Sequence, residues 1–294
     1  MINPAPTDPH EPILQADGLA KSFLGVQALQ DFSAAVRPGE ILGLIGPNGA
    51  GKTTCFNLLT GFLVPTAGRI QFKHQDITGM SPARVAHLGI ARTFQNIRVF
   101  GSLSVLENIQ VAAQLRTDVS LWEPMIGGPG FRRKEAEVKA RALEFLDLFG
   151  LTLYAERPAA SLPYGYQRRL EIARALATGP ALLLLDEPAA GMNPAESDAL
   201  HQLILDLRGR FGLTILLVEH DMRLVMNLCE RIVVLNYGRI IAEGKPEAVR
   251  ADPQVIAAYL GEDRSNPIGE LAPASRDQTD DESRDAGVAR ARTA

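Results

Sequence analysis

The stretch GPNGAGKTT, Gly46 to Thr54, leaves this chain little freedom. It follows ILGLIG, a short apolar run without polar alternation that reads as a strand buried on both faces, and it precedes TCFNLLTGFL, which has helical spacing. A glycine-rich turn in that context lets successive backbone N–H groups point inward, and the helix start behind it adds partial positive charge. With Gly46, Gly51, Lys52 and Thr53 in the G-x-x-x-x-G-K-[ST] pattern, the stretch is a cradle for nucleotide phosphates. Pro47, Asn48, Gly49, Ala50 and Thr54 complete its backbone, Lys52 reaches the β- and γ-phosphates, and Thr53 offers a hydroxyl to Mg²⁺.

Magnesium keeps several waters and wants oxygen ligands, so a carboxylate is needed from a neighbouring strand end. ALLLLDEP has the same buried-strand design and ends on Asp186, which fits that need. Glu187 stands one residue beyond the strand, where a carboxylate can polarise an attacking water. A third run, LTILLVEH, ends on His220.

These runs predict an α/β protein with a mostly parallel core sheet. ILQADGLAKSF, LQDFSAAVRPGE and RIQFKHQDIT, punctuated by Gly and Pro, predict an antiparallel β subdomain at the N-terminus. Residues 104–114, 133–149 and 167–177 have apolar positions at helical spacing, with the Gly/Pro-rich WEPMIGGPGF (Trp122 to Phe131) between the first two as a loop. RIVVLNYGRIIAEG predicts a hairpin turning at Tyr237-Gly238, followed by a short helix through Tyr259 and Leu260. Residues 1–12, with four prolines, and 262–294, polar and without aromatics, are expected to be disordered tails flanking a domain at 13–261, its helical subdomain at about 96–178.

Composition narrows the class. A net charge of −4 over 294 residues argues against a nucleic-acid partner, which would call for an excess of Lys and Arg. Two cysteines, Cys55 and Cys229, sit among apolar helical neighbours and read as inert core thiols. No run reaches the roughly 18 apolar residues of a membrane span, and the N-terminus lacks a secretory pattern.

The phosphate loop, then LPYGYQRRLEIARAL, LLLLDEP and VEH in that order, resembles the nucleotide-binding subunits of ABC transporters from Leu14 to Gly261. The resemblance implies a P-loop NTPase core with a signature-bearing helical subdomain, and ATP hydrolysis with Mg²⁺. It implies roles for Phe23 in stacking on adenine, for Gln95 in sensing magnesium and the membrane partner, and for His220 in contacting the γ-phosphate. Phe23 reads equally well as core. Asn193 falls where many relatives carry Asp. The resemblance also implies that the signature of one subunit, here with Gly165, closes over the nucleotide of another, so one chain holds two half-sites. Against the commoner LSGGQ, this chain has Pro163, Tyr164 and Tyr166, leaving Leu162 and Gly165. That departure fits a heterodimer with unequal sites, and equally a homodimer in which proline caps a helix.

ARTFQNIRVFGSLSVLENIQVAA, the insertion around WEPMIGGPGFRRKEAE, DEPAAGMNPAE and IAEGKPEAVRADPQVIAAYLGE resemble the ATP-binding subunits of branched-chain amino-acid importers. That resemblance implies membrane permease subunits, an extracytoplasmic substrate-binding protein, and a peripheral place on the cytoplasmic face of the inner membrane. Amide or urea uptake and lipopolysaccharide extraction are the related alternatives. A DNA-repair or ribosomal ATPase of this kind would need long coiled-coil inserts or two cassettes, and a non-hydrolysing binding module would lack Glu187 or His220.

Overall fold

The computed structural model describes residues 11–114 and 129–260. The tails, from 1 to 10 and from 261 on, and most of the Trp122 to Phe131 loop lie outside the described residues; from Pro129 that loop is already helix.

Strands β1 (Leu14–Phe23), β2 (Val26–Val36), β4 (Ala67–Phe72) and β5 (Gln75–Asp76) form an antiparallel sheet ordered β2-β1-β4-β5. The second sheet contains β3 (Ile41–Ile45), β6 (Ile90–Arg92), β7 (Leu182–Asp186), β8 (Thr214–Val218), β9 (Arg231–Asn236) and β10 (Arg239–Gly244) in the order β10-β9-β3-β8-β7-β6. Its strands run parallel except β10, which pairs antiparallel with β9 at one edge through the expected Tyr237-Gly238 turn.

The wholly apolar strands are buried on both faces because each face meets a different layer. Along β3, Ile41 and Ile45 enter the cluster that holds the helices, whereas Leu42 and Leu44 enter the one under the antiparallel sheet. Leu182 to Leu185 alternate in the same way and are at most 1% exposed. Each contributes roughly 2 kcal/mol of apolar burial.

Helices α1 (Lys52–Leu59) and α2 (Pro82–Leu88) precede the helical layer of α3 (Val105–Gln114), α4 (Pro129–Leu148) and α5 (Tyr164–Ala177). After β7 come α6 (Pro194–Phe211), α7 (Met222–Leu228), α8 (Pro246–Ala251) and α9 (Pro253–Leu260). Ser104 and Glu107 exchange backbone and side-chain hydrogen bonds at the start of α3, and Asn193 with Glu196 does the same for α6. Helix α3 packs on both α4 and α5. Among the described residues no helix is long and apolar enough to cross a membrane.

Candidate nucleotide-binding and hydrolysis site

Parallel strands put all their C-terminal ends on one edge of the sheet, the edge where α/β proteins bind ligands. Here that edge carries Gly46 after β3, Gln95 after β6, Asp186 and Glu187 at the end of β7, and His220 after β8. Because β8 lies between β3 and β7, the phosphate loop and the Asp186–Glu187 pair stand about 10 Å apart across one intervening strand.

The loop from Gly46 to Gly51 has the curled backbone its sequence predicts. Gly46, Gly49 and Gly51 all have positive φ, at 150°, 75° and 107°. At Gly46 a Cβ would lie 2.1 Å from the Leu235 carbonyl oxygen, and at Gly51 one would lie 2.6 Å from that of Ala28. The β9–β10 turn braces the loop, since the Gly238 N–H donates to the Ala50 carbonyl at 2.9 Å. Lys52 is buried, and its ammonium donates to the carbonyls of Gly46 and Pro47 at 2.5 and 2.9 Å. It thus lies over the loop as a fixed positive charge. Thr53 and Asn48 are exposed. This arrangement fits a polyphosphate: backbone N–H groups, a helix start and one cation converge without a carboxylate in the loop.

Glu187 sits in the left-handed region at φ 47°, with its N–H donating to the Val218 carbonyl at 2.8 Å. That turn aims its carboxylate away from the strand, where two predicted residues meet it. Gln95 Nε2 donates to Oε2 at 2.8 Å, and His220 Nε2 lies 2.5 Å from Oε1. Beside them opens a cavity of about 240 Å³ lined by Glu187, His220, Met192, Asp198 and Asp221.

Asp186 is buried and paired with Arg92, Nη2 to Oδ2 at 2.7 Å, both side chains only 6% exposed. Arg92 also donates to Asn57 Oδ1 on α1 and to Oγ1 of its C-cap Thr60, and lies against the rings of Phe56 and Phe94. The Asp186 carboxylate is therefore tied to the helix that follows the phosphate loop. For magnesium the donors are of the right kind, a Thr53 hydroxyl and one Asp186 carboxylate. Among the described residues there is no group of three His, Cys, Asp or Glu that would hold a metal without the nucleotide's own oxygens.

Glu219, between the strand and His220, is buried and accepts from the N–H groups of Ala189 and His220. Burial pushes its carboxyl up to about 7 against those bonds. Nothing in their local spacing singles out Glu219, Arg92 or Arg168: a charged residue near an apolar run reads as solvated, and here each is enclosed.

The remaining expectations divide. Phe23 ends β1 at 43% exposure with the Lys21 ammonium 5.2 Å from its ring centroid, so it is not core. Gly165 lies in the first turn of α5, and a Cβ there would stand 3.3 Å from the Glu196 carboxylate. Helix α5 starts at Tyr164, earlier than its periodicity suggests, with Pro163 as N-cap. Asn193 caps α6 by accepting from the Glu196 N–H. Cys55 and Cys229 are buried free thiols, Cys229 pushed up to about 12 by burial and Cys55 higher still.

Comparison with known proteins agrees with this geometry. A family model described as "ABC transporter" matches residues 29–190, and one described as "Branched-chain amino acid ATP-binding cassette transporter" matches 239–265. The chain is 47% identical over 252 residues to the high-affinity branched-chain amino acid transport ATP-binding protein LivG of Escherichia coli K12, covering 86% of this chain and 99% of LivG. It is 46% identical over 251 residues to the corresponding BraF of Pseudomonas aeruginosa, covering 85% and 98%. Among solved structures, the ADP conformation of MJ1267, an ATP-binding cassette of an ABC transporter, superposes with TM-score 0.74 at 34% identity over 86% of this chain and all of that one. The dimeric cassette MJ0796 bound to ADP and Pi gives TM-score 0.68 at 25% identity, covering 79% and 98%. With a phosphate loop, a paired Asp-Glu strand end and these relatives in agreement, the chain belongs to the ABC transporter family, as one of its ATP-binding and ATP-hydrolysing cassettes.

Proposed function

We propose that this chain powers an importer of branched-chain or other hydrophobic amino acids. The observation that carries the hydrolytic part is the meeting of Gln95 and His220 on the two carboxylate oxygens of Glu187, at the sheet edge shared with the phosphate loop. The substrate assignment rests on the names of LivG and BraF.

ATP is held by Gly46 to Thr54, with Lys52 on the β- and γ-phosphates and Phe23 against the adenine. Thr53 and Asp186, assisted by Gln95, would hold Mg²⁺, which when bound would supply positive charge beside the phosphates. Glu187 accepts the proton of the water whose oxygen attacks the γ-phosphorus in line, as the bond to the bridging oxygen breaks. His220 fixes the orientation of that carboxylate and contacts the γ-phosphate.

The other half of the site comes from a second ATPase subunit. The α5 start, with Gly165 and its backbone N–H groups, is what this chain offers to its partner's nucleotide. Pro163 brings neither hydroxyl nor N–H, which favours a different chain as partner over a second copy. The assembly docks on permease subunits through the segment after Gln95, at the cytoplasmic face of the inner membrane, and receives amino acid from an extracytoplasmic binding protein.

Two measurements test this together: nucleotide binding and hydrolysis by Glu187→Gln, and turnover of the wild-type chain over a concentration series with and without an equimolar candidate partner ATPase. Binding should survive in the variant while phosphate release is lost. Normal release by the variant removes the base assignment, and steep self-dependent turnover without a partner removes the heterodimer.

A further inference from the structure

Arg168 is fully buried and is the largest side chain so enclosed among the described residues. It projects from the second turn of α5, the helix that begins at the signature, but the groups it binds belong to the hydrolytic site. Nη1 donates to the Phe94 carbonyl at 2.6 Å and to Glu171 Oε2 at 2.7 Å. Nη2 donates to the Gln95 carbonyl at 2.8 Å and, more weakly, to the Glu187 carbonyl at 3.4 Å. Glu171, one turn further along α5, turns its other oxygen to the N–H groups of Phe94 and Arg98 at 3.3 and 3.2 Å. The pair thus grips the backbone of residues 94–98 by carbonyls and N–H groups together.

A buried ion pair is an inefficient way merely to attach a helix, because apolar side chains of similar volume hold as well or better without the desolvation penalty. What a planar guanidinium adds is direction: two fixed donors set two successive carbonyls, and so the angle at which the Gln95 side chain leaves the backbone. That side chain reaches Glu187. The third carbonyl belongs to Glu187 itself, whose left-handed backbone is a conformation that surrounding contacts must hold.

The start of the same helix is tied to the same segment. Tyr164, standing where the commoner signature has a glycine, donates its hydroxyl to the Ala190 carbonyl at 2.9 Å. Its ring lies where a Cβ on Gly191 would come within 3.3 Å. Helix α5 therefore holds the stretch from Glu187 to Ala190 at both ends, from two residues one turn apart.

We propose that Arg168, supported by Glu171, is a positioning residue for hydrolysis: from the signature helix it sets the contact between Gln95 and Glu187 in the same chain. The proposal rests on Glu187 being the base. Movement of α5, whose first turn faces the partner's nucleotide, then reaches this chain's own carboxylate through Arg168 and Tyr164, linking the two half-sites of one subunit.

The test replaces the pair by apolar residues, Arg168→Met with Glu171→Leu, and separately makes Arg168→Lys, which keeps the charge and loses the fork. Both are assayed as the full chain with whichever second ATPase supports turnover, alongside Glu187→Gln. Expected are nucleotide affinity, read with trinitrophenyl-ATP, and KM within twofold of wild type, and kcat at least tenfold lower in both variants. The double variant should keep its thermal midpoint, a combination that loss of packing would not produce. Wild-type kcat in either folded variant overturns the proposal; should the double variant fail to fold, Arg168→Lys decides alone. Normal hydrolysis by Glu187→Gln would instead overturn the reading of the base, independently of Arg168.

Discussion

Replacing Arg92 by Met should destabilise the protein by about 3–4 kcal/mol. The substitution preserves length and most of the packing against Phe56 and Phe94, so little cavity is expected. It leaves the Asp186 carboxylate buried with no cation, and removing one partner of such a pair costs about 3–5 kcal/mol. Two smaller effects oppose each other. The hydrogen bonds to Asn57 and Thr60 are lost, roughly 1 kcal/mol or more, whereas the Nε of Arg92 is already buried without a partner and its removal returns about 1 kcal/mol. The assay is urea denaturation of the full chain without nucleotide, for Arg92→Met, Asp186→Asn and the two combined. Because the combined variant buries no unpaired charge, its loss should fall short of the sum by about 2 kcal/mol. A loss below about 1 kcal/mol for Arg92→Met, or additivity within about 0.5 kcal/mol, would refute the reasoning that Arg92 neutralises the buried Asp186 carboxylate.

Two further outcomes follow from the same geometry. Gly46→Ala should cost more than about 3 kcal/mol and abolish nucleotide binding, because its Cβ would meet the Leu235 carbonyl at 2.1 Å, while Gly49→Ala, with nothing within 4 Å, should cost only about 1–2 kcal/mol from its positive φ; equal losses in denaturation would contradict the steric account. Glu219 has a folded value raised from 4.5 to about 7, so between those values the unfolded chain has released a proton the folded one retains, and stability should fall as pH rises through that window, by at most roughly 3 kcal/mol, then level off. Glu219→Gln should flatten that part of the stability curve, and an unchanged slope in denaturation between pH 5 and 7 would count against the buried carboxyl.

The site was legible where its chemistry is local. A strand, a glycine-rich turn and a helix start are consecutive in the chain, so the Gly46–Thr54 cradle is written as one stretch whose backbone angles follow from residue type. Helix starts were less legible, because periodicity reports a buried face rather than a terminus; α5 begins at Tyr164 and α4 at Pro129, each ahead of its clear apolar repeat. Phe23 could be read either way from its strand, and only its position at the open end of β1 separates stacking surface from core.

By itself, then, the sequence determined the phosphate cradle, the doubly buried strands and the order of the site residues, because each depends on the side chains and spacing of one short segment. Tertiary structure decided what those residues do to one another. The strand order β3-β8-β7-β6 brings Gln95 and His220, far apart in the chain, onto the Glu187 carboxylate. It also encloses Arg92 and Arg168, residues that any local reading assigns to the surface. Whether a charge is solvated or buried against a carbonyl depends on neighbours supplied by distant segments, and no spacing within a segment records that.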